Sequence, residues 1–284
     1  MCGIIGSWHK NCPINYKTDL SNALELLIKR GPDDKDLFIE KRDGGTVSFG
    51  HRRLSIIDLT SGGHQPMHSY DNRYSIVFNG MIYNYKELKL ELENLGIKFV
   101  SNSDTEVLLQ SWIFWKEDCL KKLVGMFSFV IYDRKLKNLF CVKDQFGMKP
   151  LFYFYDKEKF IFSSEIYPIL SLLKSKPKIN LQRSYDYLLF GNQDNLEDTF
   201  IDKIKQLKAG SILKFSYEKN FLNIKRWWYP PIEERKNLNF GDSVQKLKEK
   251  FLEKVKIHLR SDVPIGIALS GGIDSSAITC AVRH

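Results

Sequence analysis

A succession of short apolar runs constrains this chain more than any other feature. Residues 2–8 alternate around Ile4 and Ile5, and runs rich in Phe, Val, Ile and Tyr follow at 46–50, 74–78, 126–132, 138–143, 151–155 and 159–163. Polar or glycine-containing turns separate them, the pattern of half-buried or fully buried β-strands. Helical spacing is rarer. It covers 18–29, where Leu20, Ala23, Leu24, Leu27 and Ile28 share a face, then about 84–95, and 104–116, which opens with Asp104–Thr105–Glu106. RGPDD at 30–34 reads as a turn. Many strands with few helices predict an α+β architecture of stacked sheets flanked by helices. At 284 residues, 43% hydrophobic and 13% aromatic, the chain has the material for one large core or two modest ones.

The pattern changes near residue 229. Tyr229–Pro230–Pro231 and the polar stretch after it read as a linker over 229–241. An amphipathic helix follows at about 242–260, with Val244, Leu247, Phe251, Val255 and Leu259 on one face. Next come an apolar run expected to be a strand (264–270), a Gly-rich turn and the start of a helix. The expected division is therefore a domain over 2–228, a linker over 229–241, and the opening β–turn–α unit of an α/β domain over 242–284. One strand and one helix cannot bury their own apolar faces, so that second domain is expected to be incomplete here.

Composition excludes several classes. No apolar run approaches the roughly 18–20 residues of a membrane span, and no basic region precedes the N-terminal apolar patch, so no membrane association is expected and a cytoplasmic protein is the default. The formal charge is +9, but the lysines alternate with acids, as in KLKEKFLEKVK, and form no sustained tract; a nucleic-acid partner is not expected. The five cysteines, Cys2, Cys12, Cys119, Cys141 and Cys280, form no CxxC pair, which argues against a disulfide framework or a structural zinc site. The last four read as buried fillers or inert thiols.

Cys2 is different. Removal of Met1 would leave it with a free α-amine of pKa near 8, suited to accept the proton of the thiol on the same residue. Small residues follow at Gly3 and Gly6. Further along, HRRLSIID (51–58) supplies arginines after a strand, FNGMIYN (78–84) ends a strand in Asn79–Gly80, and SDTEVLL (103–109) sets Asp104 at a helix start. Hydrolysis of a free amino-acid amide calls for such an inventory: a guanidinium for an α-carboxylate, a carboxylate for an α-ammonium, and an amide plus a backbone N–H for a tetrahedral oxyanion.

MCGIIG, RGPD, GHRRLSIIDL, FNGMIYNY, SDTEVLL, GMFSFVIYD, KDQFGMKPLFY and FSSEI occur in this order. The series resembles the N-terminal-nucleophile (class II) glutamine amidotransferases, above all the glutaminase half of glutamine-hydrolysing asparagine synthetase, from Cys2 to about Trp228. The resemblance implies a four-layer αββα sandwich with Cys2 as nucleophile, Arg53 on the glutamine carboxylate, Asp104 on its ammonium, and Asn79 and Gly80 as the oxyanion hole. No cofactor is implied for this half. One position departs from the family: Met81 stands where NGEIYN would place a glutamate that contacts the substrate amino group.

Leu269-Ser270-Gly271-Gly272-Ile273-Asp274-Ser275-Ser276 lacks the Gly-Lys-Ser/Thr of a Walker loop. Glycines turn successive N–H groups inward, and a helix N-terminus adds positive potential, which suits pyrophosphate. The segment resembles the PP-loop of ATP pyrophosphatases, here expected to bind ATP through Leu269, Ser270, Gly271, Gly272, Asp274, Ser275 and Ser276. The resemblance implies glutamine, aspartate and ATP as substrates, Mg²⁺ with the ATP, and an aspartyl-adenylate amidated by ammonia; the metal ligands are not assigned, and a homodimer is allowed. A glutamine-dependent amidating enzyme of a sugar or antibiotic pathway shares both motifs. A chain that binds glutamine without turnover is the non-enzymatic alternative.

Overall fold

The computed structural model describes residues 1–173, 177–191, 196–232 and 239–283. In chain order the strands are β1 (Gly3–His9), β2 (Asp34–Arg42), β3 (Gly45–Arg53), β4 (Met67–His68), β5 (Tyr74–Ile82), β6 (Gly125–Asp133), β7 (Asn138–Lys143), β8 (Phe152–Tyr155), β9 (Lys159–Ser163), β10 (Ile204–Gln206), β11 (Ser211–Ser216) and β12 (Phe221–Arg226). The helices are α1 (Tyr16–Glu25), α2 (Tyr85–Asn94), α3 (Asp104–Trp115), α4 (Ile166–Leu172), α5 (Leu181–Phe190), α6 (Phe240–His258) and α7 (Ile273–Arg283). The strands form two antiparallel six-stranded sheets, ordered β10-β8-β9-β1-β3-β2 and β12-β11-β7-β6-β5-β4.

Period-two alternation builds the layers. Ile4 faces the gap between the sheets, where it joins Trp8, Val77, Val130, Cys141 and Phe215. Its neighbour Ile5 faces the other way, toward Leu20 and Leu24 of α1 and Ile169 of α4. In the second sheet Val77 points inward while Ile76 and Phe78 turn outward onto Val107, Leu108 and Trp112 of α3. The result is helix, sheet, sheet, helix: the expected αββα sandwich.

Several expectations need correction. Helix α1 ends at Glu25 rather than 29, and residues 26–30 continue as turns toward Gly31, whose Cα packs too closely on the Arg52 backbone for a side chain. Strand β5 does not stop before Asn79–Gly80 but runs through them to Ile82, because Asn79 and Gly80 pair with Ser128 and Phe127 of β6. The run 264–270 is not a strand: no partner strand lies beside it among the described residues, and a strand without a ladder leaves its backbone groups unpaired. Residues 233–238 of the expected linker lie outside the described residues. Cys119 and Cys141 are buried in the core, whereas Cys280 is exposed on α7 rather than a buried filler. No helix among the described residues is long and apolar enough to cross a membrane.

Candidate active site

Register brings the first site residues together. Gly3 pairs with Arg52, so Cys2, one residue before β1, lies beside Arg53 and Leu54 at the end of β3. The Leu54 N–H points at Cys2 Sγ (3.4 Å), and Sγ lies 3.7 Å from Leu54 O. Burial pushes the Cys2 thiol up, and the Leu54 N–H only partly offsets this. At neutral pH the group is a thiol in need of a proton acceptor.

Cys2 opens onto a cavity of about 80 Å³ that also takes in Arg53, Asn79, Gly80, Asp104 and Lys149. Met1 also lines the cavity, so its removal would enlarge it. All five residues that sequence reasoning placed in a glutamine site thus line one hollow.

Asn79 is wholly buried, and neither its Oδ1 nor its Nδ2 has a hydrogen-bond partner. An orphaned buried polar group costs about 1–3 kcal/mol, so stability alone would not place an asparagine here. Gly80 must be glycine: a Cβ would stand 2.3 Å from Met126 O across the ladder. The peptide before them is held on both sides. Gln65 Oε1 accepts from Phe78 N–H at 2.7 Å while its Nε2 donates to Thr105 Oγ1 at 3.1 Å. His51 Nε2 lies 3.1 Å from Phe78 O, and burial lowers its pKa to about 3, so the ring is neutral and its N–H donates.

Asp104 is the first residue of α3, capped by Ser103, whose hydroxyl accepts from Thr105 N–H. Asp104 Oδ2 accepts from Ile82 N–H at 3.0 Å, tying the helix start to the end of β5. Burial raises the carboxyl to about 6 against the lowering effect of the Ile82 and Thr105 N–H groups. Asp104 is the only acid among the residues described around the cavity; Met81, which also lines it, is buried against the core. Arg53 donates from Nη1 to Thr60 O (2.8 Å) and from Nη2 to Ile57 O (3.1 Å) and Asp58 O, leaving Nε–H and one Nη1 hydrogen.

Two cationic neighbours escaped sequence reasoning. Asp144 accepts from the N–H groups of Phe127, Phe146, Met148 and Lys149, so the KDQFGMK segment wraps around one carboxylate and presents Lys149 to the cavity. Burial, then the nearby Arg30 charge, lowers the Lys149 pKa. Arg30 of RGPD donates from Nε to Cys2 O at 3.0 Å and from Nη1 to Glu165 Oε1 of FSSEI at 3.2 Å. The only advance signal was that both segments belong to the ordered motif series.

The Gly-rich segment lies elsewhere, at the start of α7. Gly271 has φ +83°, and nothing lies within 4 Å of where its Cβ would be. Ser270 and Ser275 hydroxyls are 3.0 Å apart across the turn, and Ser275 Oγ donates to Gly272 O. An open glycine turn with hydroxyls before a helix N-terminus fits a phosphate cradle.

Two stacked antiparallel sheets thus lie between helix layers, and a thiol at residue 2 opens on a small charged cavity. The chain belongs to the glutamine amidotransferase family, whose domain model matches residues 1–228; the asparagine synthase model matches residues 246–284. Glutamine-hydrolysing asparagine synthetase 3 of Bacillus subtilis is 38% identical over 98% of this chain and 45% of its own length. Asparagine synthetase 1 of the same organism is 34% identical over 100% of this chain and 44% of its own length. The chain therefore spans about half the length of these relatives. The glutamine phosphoribosylpyrophosphate amidotransferase of B. subtilis, solved with ADP and GMP, shares the fold with a TM-score of 0.57 at 17% identity, over 99% of this chain and 64% of that one.

Proposed function

We propose that the domain over 2–228 hydrolyses glutamine to glutamate and ammonia through a thioester on Cys2. The observation that carries this reading is the orphaned Asn79 amide, buried in the wall of the cavity that Cys2 enters. A lone acid facing the basic Arg53 and Lys149 suits a zwitterionic α-amino acid, with Asp104 on the ammonium and the free Arg53 hydrogens on the carboxylate. The Cys2 α-amine takes the thiol proton, and the thiolate attacks the side-chain amide carbon. Asn79 Nδ2–H and the Gly80 N–H receive the oxyanion. Ammonia departs with the proton, and water then cleaves the thioester. Following glutamate and ammonia release tests this: glutamine is hydrolysed and simple primary amides are not. No turnover, or equal turnover of both, contradicts it.

The base in this scheme exists only once Met1 is removed. Active preparations are therefore expected to lack Met1 by intact-mass analysis; full activity in protein that wholly retains it would refute the α-amine as base.

Asp104 gives a pH prediction. Its carboxyl, raised to about 6, is anionic above that pH and neutral below it. Below the limb that protonation of the Cys2 α-amine sets, kcat/KM for glutamine should fall more steeply as pH drops through about 6, because the ammonium loses its counter-charge. A profile with no steepening between pH 7 and 5 would show that Asp104 does not bind the ammonium.

For the second part, the proposal is an incomplete synthetase domain over 242–284, joined through 229–241, whose loop Leu269–Ser276 holds the phosphates of ATP, with Mg²⁺ accompanying it. Bound ATP supplies the adenylyl group that activates a carboxylate, aspartate in the leading reading, for attack by ammonia. This chain's contribution is to cradle the phosphates with the Gly271 and Gly272 N–H groups and the Ser270, Ser275 and Ser276 hydroxyls.

A further inference from the structure

The segment leading from α6 into the Gly-rich loop does not hang free. It packs behind the cavity wall, of which Ile56 is a part. His258 lies against the Tyr83 ring, tilted by 40°, with 3.9 Å between centroids. Arg260 donates to Tyr83 O at 2.7 Å and pairs with Glu87 on α2. Asp262 makes two bonds to one short stretch of loop: its Oδ2 accepts from Asp58 N–H at 2.7 Å, and its own N–H donates to Ile56 O at 2.9 Å.

The clamped stretch, Ile56–Asp58, is the stretch that seats Arg53. Ile57 O and Asp58 O accept from Arg53 Nη2. Asp58 has φ +54°, a left-handed conformation that few residues other than Gly, Asn and Asp adopt. Its carboxylate accepts from Thr60 N–H and Asn102 N–H, and Asp262 holds its N–H. A single peptide unit therefore separates Asp262 from the Arg53 guanidinium.

We propose that Asp262 is a positioning residue for the glutamine pocket, fixing Ile56–Asp58 and through them the Arg53 guanidinium that lines the cavity, and that this clamp couples the Gly-rich half of the chain to glutamine binding. The inference rests on the glutaminase reading of the cavity. It assigns Asp262 to binding rather than chemistry: Cys2, Asn79 and Gly80 are not touched by it, and a carboxylate grip persists equally in ground and transition states.

The test uses the whole chain. Asp262→Ala should raise the KM for glutamine about three- to tenfold, less than the full worth of a hydrogen bond to a charged acceptor because the loss reaches the ligand only through Arg53, with kcat within about twofold. Asp262→Asn keeps a carbonyl oxygen for Asp58 N–H and should restore KM to within about twofold of the parent. Amide exchange at Asp58 should accelerate in the alanine variant, a readout independent of turnover. If Asp262→Ala fails to fold, Arg260→Ala replaces it, with a rise in KM again expected. Parent turnover with an unchanged KM in the variant, or a fall in kcat alone, overturns the clamp and leaves the glutaminase reading standing. A parent chain that does not hydrolyse glutamine overturns both.

Discussion

Cys2→Ala should abolish glutamine hydrolysis, with a loss of about 10⁴-fold or more in kcat, the scale seen when a nucleophile is deleted from an enzyme that acts as a unit. The effect should be chemical and not structural. Cys2 as a residue is partly exposed although its sulfur is buried, and the bonds of that sulfur to Leu54, at 3.4 and 3.7 Å, are weak sulfur hydrogen bonds. Its backbone is held independently, by Arg30 at Cys2 O and by the start of β1. The thermal midpoint of the variant should stay within a few degrees of the parent, and the variant should still bind glutamine, since Arg53 and Asp104 remain. A variant that keeps the parent rate would place the nucleophile elsewhere. Of the other thiols, Cys119 and Cys141 are sealed in the core, and burial pushes both far up.

Asn79→Ala should separate activity from stability. Removing one oxyanion donor costs about 10²–10³ in kcat, while KM changes little because the ground-state carbonyl does not need the full bond. The same substitution deletes two orphaned buried polar atoms. Their desolvation cost, about 1–3 kcal/mol, partly or wholly offsets the packing lost with the side chain. The variant should therefore be nearly as stable as the parent, or more so, yet catalytically crippled. Kinetics and a denaturant titration on one preparation decide it. A variant as active as the parent would remove Asn79 from the oxyanion hole; one that unfolds readily would mean the amide has a structural partner.

How much of this was legible before the structure depends on what each residue answers to. Several inner strands were visible because burial on both faces forces apolar runs, as in β6, β7 and β9, whereas the inner strand β11, interrupted by the exposed Lys214, was not. Strand β2 was hidden in DKDLFIEKR: it is an edge strand, and edges carry charge on exposed positions. Strand β12, the opposite edge of the second sheet, escaped for the same reason. The apolar run 264–270 misled in the other direction, since apolar content does not supply a partner. The site residues Cys2, Arg53, Asn79, Gly80 and Asp104 were legible through their ordered motifs, and the structure gathers all of them at one cavity. Lys149 and Arg30 were not. Their placement depends on a loop folded around the Asp144 carboxylate and on a turn that meets the Cys2 carbonyl, and neither has a spacing that sequence can show. The Asp262 clamp was equally invisible, because it joins positions 204 residues apart.

The central claim is that the Cys2 cavity is a glutamine site whose reactive atom is Sγ. Treatment with a diazoketone analogue of glutamine tests it most directly, because Sγ displaces dinitrogen only if the amino-acid portion is seated while the thiolate forms. Peptide mapping should find one label, on Cys2, with free glutamine protecting against it and Asp104→Asn slowing it. Labelling of Cys12 or Cys280 in place of Cys2, or labelling of Cys2 that glutamine does not slow, would contradict the account.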